Sequence, residues 1–408
     1  MSLGFTFLIA VRALARNRLR AFLTALGIII GVAAVIAMVS IGEGAKARVQ
    51  ETFANMGTHM LVVMSGSSRS GGVRGGAGSQ PTLTWDDLAA IQTLPSVRYA
   101  APQLRTGAEV IADSGNWTST IYGVSPDYFH VRNWTMASGR SISESDIAGN
   151  AKVALLGQTV VNELYGAGND PIAQFIRIRN APFEVVGVLA SKGQAGWGGD
   201  NDDVVFVPVS SFQARIEGSL GRYVNGHIVL SAIAENATAT AEREVTALLR
   251  ERHRLRFGED DDFSVRNLGE IASASQESTQ TLTALLASIA FVSLVVGGIG
   301  IMNIMLVSVS ERTEEIGLRK ALGARSSDVL NQFLIESLVL ASLGGVIGTA
   351  VGLGTVGAVA AITPLPATIG ASVVLVTVTL SGSIGLFFGV VPARRAAKLD
   401  PIVALRSL

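Results

Sequence analysis

The chemistry-bearing residues of this 408-residue chain are few and scattered. His59, His130, His227 and His253 lack the spacing that brings ring nitrogens onto one metal ion, and each reads as an ordinary surface or satisfied core residue. Cysteine is absent, which excludes disulfides, a thiol nucleophile and thiolate-bearing zinc sites. Asp200, Asp202 and Asp203 resemble part of a calcium loop without its glycine or distal glutamate, so they read as a solvated turn, as does the acidic run Glu259 to Asp262. Gly297, Gly298 and Gly300 sit inside an apolar run with no preceding strand, which rules out a dinucleotide fingerprint. The apolar runs offer no ionisable pair on which an intramembrane enzyme could be built. No metal, cofactor or catalytic constellation is therefore expected in this chain.

One segment concentrates charge at helical spacing, Ser310 to Arg325, with the sequence SERTEEIGLRKALGAR. Ile316, Ala321 and Leu322 are expected to make a small apolar face, with Glu311, Glu314, Glu315, Arg319 and Lys320 covering the rest. Gly323 is placed to end that helix in a left-handed conformation. Such a helix either docks in a groove of a soluble partner or lies solvated at a membrane surface, and physics alone does not separate the two.

The elements around it belong to a membrane. Hydrophobic residues make up 49% of the chain and charged ones 16%, and the mean hydropathy is +0.43, against about 25% charged in soluble domains. The equal totals of Lys+Arg and Asp+Glu give no reason to expect a nucleic-acid partner. Residues 21–42 carry no charge and are long enough for about 30 Å of hydrocarbon, which reads as a retained anchor rather than a cleaved signal. A second uncharged stretch covers 278–310, and a third, 337–393, is too long for one span and is divided at Pro364 and Pro366. Four transmembrane helices result, one plus three, with the third and fourth at 329–361 and 370–392. Arg12, Arg16, Arg18 and Arg20 precede the first span; Arg312, Arg319, Lys320 and Arg325 follow the second; Arg394, Arg395, Lys398 and Arg406 follow the fourth. The positive-inside rule then puts both termini in the cytoplasm and residues 43–280 outside.

Gly27 and Gly31, then Gly344, Gly348 and Gly352, then Gly385 and Gly389, recur four apart, a spacing that lets helices approach closely within one copy or along a seam between two. Helical patterning continues past the first span through Glu43, Lys46, Val49 and Phe53 to Gly57, and begins before the second at Ile271 and Ala274. Two long stalks, 21–57 and 268–309, are expected, the alternative being separate surface helices kinked at Gly42 and Gly44. Between them lies an α+β external domain. Strand signals at 60–64, 227–230 and 263–266, with helices from Thr84 to Leu94 and Glu235 to Arg254, suggest a split α/β layer from 58–120 and 213–267. Strand runs at 153–156, 175–178, 183–186 and 204–207 suggest a mainly β insert over 121–212, and Ser65 to Pro81 reads as a Gly/Ser-rich loop.

The pattern E-R-x-x-E-I-G-x-R-K-A-x-G-A-R at 311–325 resembles the cytoplasmic loop of MacB-type, or type VII, ABC transporter permeases, a group that includes FtsX-like and LolC-like members. G-V-S-P-D-Y-F at 123–129, P-A-R-R-A-A-x-L-D-P-I-V-A-L-R at 392–406 and the basic N-terminal segment 1–20, expected as an amphipathic helix, agree with it. The resemblance implies a porter-like layer with a Sabre-like insert and a homodimer. It further implies an ATPase-coupling helix within 310–328 that uses Glu311, Glu314, Glu315, Ile316, Gly317, Arg319, Lys320, Gly323 and Ala324. With no G-x-x-x-x-G-K-[ST] phosphate loop in the sequence, ATP and magnesium are expected on a separate ABC ATPase subunit. The chain itself is expected to be a transport subunit and not an enzyme, driving export of a drug or peptide by mechanotransmission with a periplasmic adaptor and an outer-membrane channel. Family alternatives are control of a cell-wall hydrolase, as in FtsX-like relatives, and lipoprotein release, as in Lol permeases.

Overall fold

The computed structural model describes residues 18–57, 59–66, 69–70, 73–74, 81–194, 199–218, 221–362, 370–401 and 404. The expected N-terminal amphipathic helix before Arg18, most of the Gly/Ser-rich loop, the break at Pro364 and Pro366, and residues 402–403 and 405–408 of the tail lie outside these residues. The chain divides into two compact units, one from 1–48 with 276–408 and one from 49–275.

The first unit is helical. Helices over Arg18–Met56, Leu268–Glu311, Ser326–Ile362 and Ala371–Ala397 contain the four segments long and apolar enough to cross a membrane. The first two have 39 and 44 residues, about 58 and 66 Å at 1.5 Å per residue, or twice the ~30 Å of hydrocarbon. Both run unbroken, so the kinked alternative does not hold. Gly42 serves close approach instead: a Cβ there would lie 2.6 Å from Thr283 Oγ1. The fourth helix continues past the expected end at residue 392, through Pro392 to Ala397, so Arg394 and Arg395 belong to it. Ile28, Val32 and Ile36 meet Leu294 and Ile301, Phe333 and Leu340, and Ile384 in the bundle core. Leu282, Leu285, Ile289 and Val292 remain exposed along the second helix, an apolar stripe suited to lipid.

The second unit is built on one sheet. Its strands are β1 (Met60–Ser65), β4 (Val97–Ala112), β5 (Gly115–Val124), β6 (Met136–Gly139), β7 (Val153–Leu156), β8 (Phe175–Ile178), β9 (Ala181–Leu189), β10 (Val204–Pro208), β11 (Gly226–Ala232) and β12 (Phe263–Asn267), while β2 (Arg69–Ser70) and β3 (Val73–Arg74) form a separate pair. The order is β12-β1-β11-β4-β5-β10-β7-β9-β6, with β8 against β4 and β9. This corrects the expected boundary at residue 121, which falls inside β5. The insert does not form a sheet of its own, because β10 pairs in parallel with β5, Val205 opposite Ile121 and Val207 opposite Gly123. Gly123 permits the adjoining packing: a Cβ there would lie 2.6 Å from Phe212 Cβ.

The helix Trp85–Gln92 starts in a capping box, Thr84 accepting from the Asp87 amide and Asp87 from the Thr84 amide. Asp87 is 2% exposed and also binds Arg252 at 2.5 Å and His253 at 3.2 Å, which fastens this helix to the C-terminus of Thr238–Arg252. Burial opposes ionisation of Asp87, but the hydrogen bonds from Thr84, Arg252 and His253 outweigh it and lower its pKa to about 2. His253 also meets Asp262 at 2.7 Å. Burial disfavours its charge, and the two carboxylates overcome that and raise its pKa.

The acidic turns are therefore not simply solvated. Asp202 is 5% exposed, accepting from the Lys192 and Gly193 amides at 2.8 and 3.0 Å and from the Ser191 hydroxyl. Asp200 accepts from Thr159 and Asp203 from Trp117. These carboxylates tie together donors of the loop and of the neighbouring helix and strand.

Candidate coupling site

The second spanning helix ends at Glu311, Arg312 leaves helical geometry at φ −106° and ψ 17°, and a new helix runs from Thr313 to Ala321. Glu314 and Glu315 lie in its first turn and Arg319 and Lys320 in its last, the arrangement the helix dipole favours. Gly323, at φ +97°, occupies the C′ position. Its amide reaches Lys320 O at 3.1 Å and the Ala324 amide reaches Arg319 O at 3.0 Å, a Schellman termination that turns the chain toward Ser326. The Arg325 amide then donates to Asp328 at 3.1 Å and opens the third spanning helix. The expected 310–328 element is thus three pieces: a break, a short helix and a capped turn.

The expected apolar face is different from the observed one. Ile316 is 2% exposed and packs with Val309, Val329, Phe333 and Ala393 in the bundle core, with Gly317 buried beside it. Leu322 points away at 81% exposure and Leu318, one turn earlier, is 54% exposed. Ala321, Glu314 and Glu315 are exposed as well. Spacing decides this: residues four apart share a face, and residues five or six apart do not.

The two basic residues face inward. Arg319 donates to Gln332 at 3.0 Å and to Glu315 at 2.6 Å. Lys320 Nζ donates to the carbonyls of Ala397 at 2.9 Å and Leu399 at 2.7 Å, capping the C-terminus of the fourth spanning helix. Arg312 Nη1 lies 3.3 Å from both carboxylate oxygens of Glu336, which is 5% exposed in the third spanning helix. An ionisable pair does therefore reach into the spans, contrary to expectation. Glu336 is the one acidic residue after the first turn of that helix, immediately before the uncharged stretch from Ser337, and this isolation was the available signal. Arg312, Gln332, Glu336 and Leu318 are the residues that sequence reasoning missed.

The seven spaced glycines all meet other helices of the same chain. A Cβ on Gly27 would lie 2.8 Å from Gly297 Cα, and one on Gly31 2.8 Å from Leu294. Gly344, Gly348 and Gly352 face Ile28, Ile29 with Val32, and Ile36 with Ala33. Gly385 and Gly389 face Ala341 and Ser337. Close contacts of this kind replace the hydrophobic driving force that helices lack inside lipid.

The fold and this helix define a multi-pass membrane permease with an α+β domain between its first two spans. The chain matches the model of the MacB-like periplasmic core domain over residues 21–248 and that of the FtsX-like permease C-terminal domain over 287–401. It belongs to the MacB-like family of ABC transporter permeases. Relatives include the macrolide export ATP-binding/permease protein MacB of Azoarcus sp., 44% identical over 98% of this chain and 58% of its own length, and that of Syntrophobacter fumaroxidans, 40% identical over 97% and 63%. The chain thus spans about three-fifths of the length of these relatives. The solved periplasmic region of MacB from Actinobacillus actinomycetemcomitans aligns at 18% identity and a TM-score of 0.45, over 57% of this chain and 97% of that one.

Proposed function

We propose that this chain is the permease subunit of an ATP-driven exporter. A separate ABC ATPase subunit holds ATP and magnesium and docks on the helix Thr313–Ala321. The observation that carries this reading is that helix's two-sidedness: Arg312, Arg319 and Lys320 fasten it to the third and fourth spanning helices while Leu318 and Leu322 stand exposed beside Glu314. An apolar pair held rigidly and ringed by charge suits a groove on a soluble partner. Basic segments beside the spans support cytoplasmic termini and an external domain outside the inner membrane. Two copies act together, as the family resemblance implies, and ATP-driven closure of the ATPases moves the short helices and with them the long helices Arg18–Met56 and Leu268–Glu311. The relatives' names record macrolide export, and export of a drug or peptide through a periplasmic adaptor and an outer-membrane channel is the corresponding activity here.

The test is Leu318→Glu with Leu322→Glu in the intact membrane protein, co-expressed with a candidate ABC ATPase subunit from the same genome. Co-purification is expected to be lost while the thermal midpoint of the permease stays unchanged, because both side chains are exposed. Retained association would exclude this face as the dock. Export that persists without ATP hydrolysis would exclude the coupling itself.

A further inference from the structure

G-V-S-P-D-Y-F at 123–129 divides into two sets by what its residues touch. Gly123 makes room for Phe212, and Tyr128 and Phe129 pack on Phe206 with ring centroids 5.4 and 5.5 Å apart. Packing accounts for these three. Asp127 is different: its carboxylate is partly buried, which raises its pKa, and it forms no hydrogen bond or ion pair among the described residues. A partly buried carboxylate left without a donor costs stability and calls for a compensating partner.

Asp127 opens onto a cavity of about 440 Å³ within the external unit, which Trp85, Arg98, Tyr99, Ser125 and Glu144 also line. Its walls are rigid and aromatic. The Trp85 indole donates to Gly221 O at 3.1 Å, and the Tyr99 ring stacks on His130 with centroids 4.9 Å apart and 21° between planes. The Arg98 guanidinium carbon lies over the Tyr99 ring, 5.7 Å from its centroid. Glu144 is exposed at the start of its short helix and contributes a second carboxylate. The lining therefore carries two negative charges against one positive charge, beside two aromatic side chains, in a volume within the range of small-molecule sites.

We propose that this cavity is a binding site for an organic ammonium ion with an aromatic or aliphatic body of modest size, its N–H donating to Asp127 and its body lying against Trp85 and Tyr99. A cation beside ring faces gains from their quadrupole, and a charge-assisted hydrogen bond to a desolvated carboxylate is the strong kind. The site makes no use of the short cytoplasmic helix and stands whether or not an ATPase docks there.

The test uses the full-length protein in nanodiscs, titrated by ligand-observed NMR with N,N-dimethylphenethylamine, which is protonated at neutral pH, and with its uncharged near-isostere 2-methyl-4-phenylbutan-2-ol. Saturable binding of the amine is expected, weakened about tenfold by Asp127→Asn and by a smaller factor by Glu144→Gln, with the alcohol bound at least tenfold more weakly than the amine. Asp127→Asn removes no hydrogen bond within the protein and relieves a desolvated charge, so a thermal midpoint equal to or above that of the unsubstituted protein is expected to accompany the loss. The exposed Glu144→Gln supplies the same comparison if Asp127→Asn unfolds. No saturable amine binding, equal binding of amine and alcohol, or affinities unmoved by both substitutions would overturn the proposal.

Discussion

Replacing Arg312 by Met leaves the Glu336 carboxylate inside the helical bundle with its ion-pair partner gone. Breaking a buried pair on one side costs about 3–5 kcal/mol, because an uncompensated charge stays in a medium that solvates it poorly. The geometry puts this pair at the lower end: both oxygens lie 3.3 Å from Nη1, longer than the ~2.8 Å of the strongest charged bonds, and the Arg312 side chain retains 25% exposure. We expect about 3 kcal/mol for Arg312→Met. Glu336→Gln should cost only about 1–2 kcal/mol, since the guanidinium still reaches water along its flexible stem. The double variant should be little worse than Glu336→Gln, so the two losses fall short of adding by about 2–3 kcal/mol. SDS-titrated unfolding of the four proteins measures the cycle. Additivity within about 0.5 kcal/mol would show that the pair carries no coupling and would refute the assignment of Arg312 and Glu336 as a clamp.

Lys320→Met should free the Ala397 and Leu399 carbonyls and destabilise the end of the fourth spanning helix by about 1–2 kcal/mol, read as faster amide exchange over 394–399. Gly297→Leu forces apart the backbones at Gly27 and Gly297 and should lower the thermal midpoint more than Gly300→Leu, where a side chain has open space. In the external unit, His253 holds a pKa above its usual 6.5, so its stabilisation is complete below that value and disappears as pH rises through the raised one. Asp87, lowered from 3.8 to about 2, contributes fully above 3.8 and loses its contribution as pH falls toward 2. Amide protection over 238–252, taken relative to the intrinsic exchange rate at each pH, should accordingly be greatest between these limits, and His253→Asn should flatten the alkaline side.

The spans were legible because about 20 apolar residues in a row have few other uses, and the orientation signal came from three separate basic segments. Short strands such as β7, β8 and β10 were legible from β-branched runs. The long β4 was not: Arg98, Pro102, Gln103, Arg105 and Glu109 interrupt it, and only pairing with β5 and β11 on its two sides makes it a strand. The short helix Thr313–Ala321 was found from charge and from Gly323, but the direction each side chain faces was not. Whether Arg319 meets a partner or Gln332 depends on where the third spanning helix lies, and no local pattern encodes that. Asp87 and His253, 166 residues apart, show the same limit.

The meeting of Gly27 with Gly297 has a consequence for permeation. At Gly27 and Gly297 the two backbones approach too closely for a methyl group or a water molecule between them, and Gly348 and Gly352 close on the first spanning helix in the same way. A single copy therefore offers ions no hydrated route across the bilayer through these contacts. Cargo handled by the external unit would have to leave without passing between these helices at those contacts.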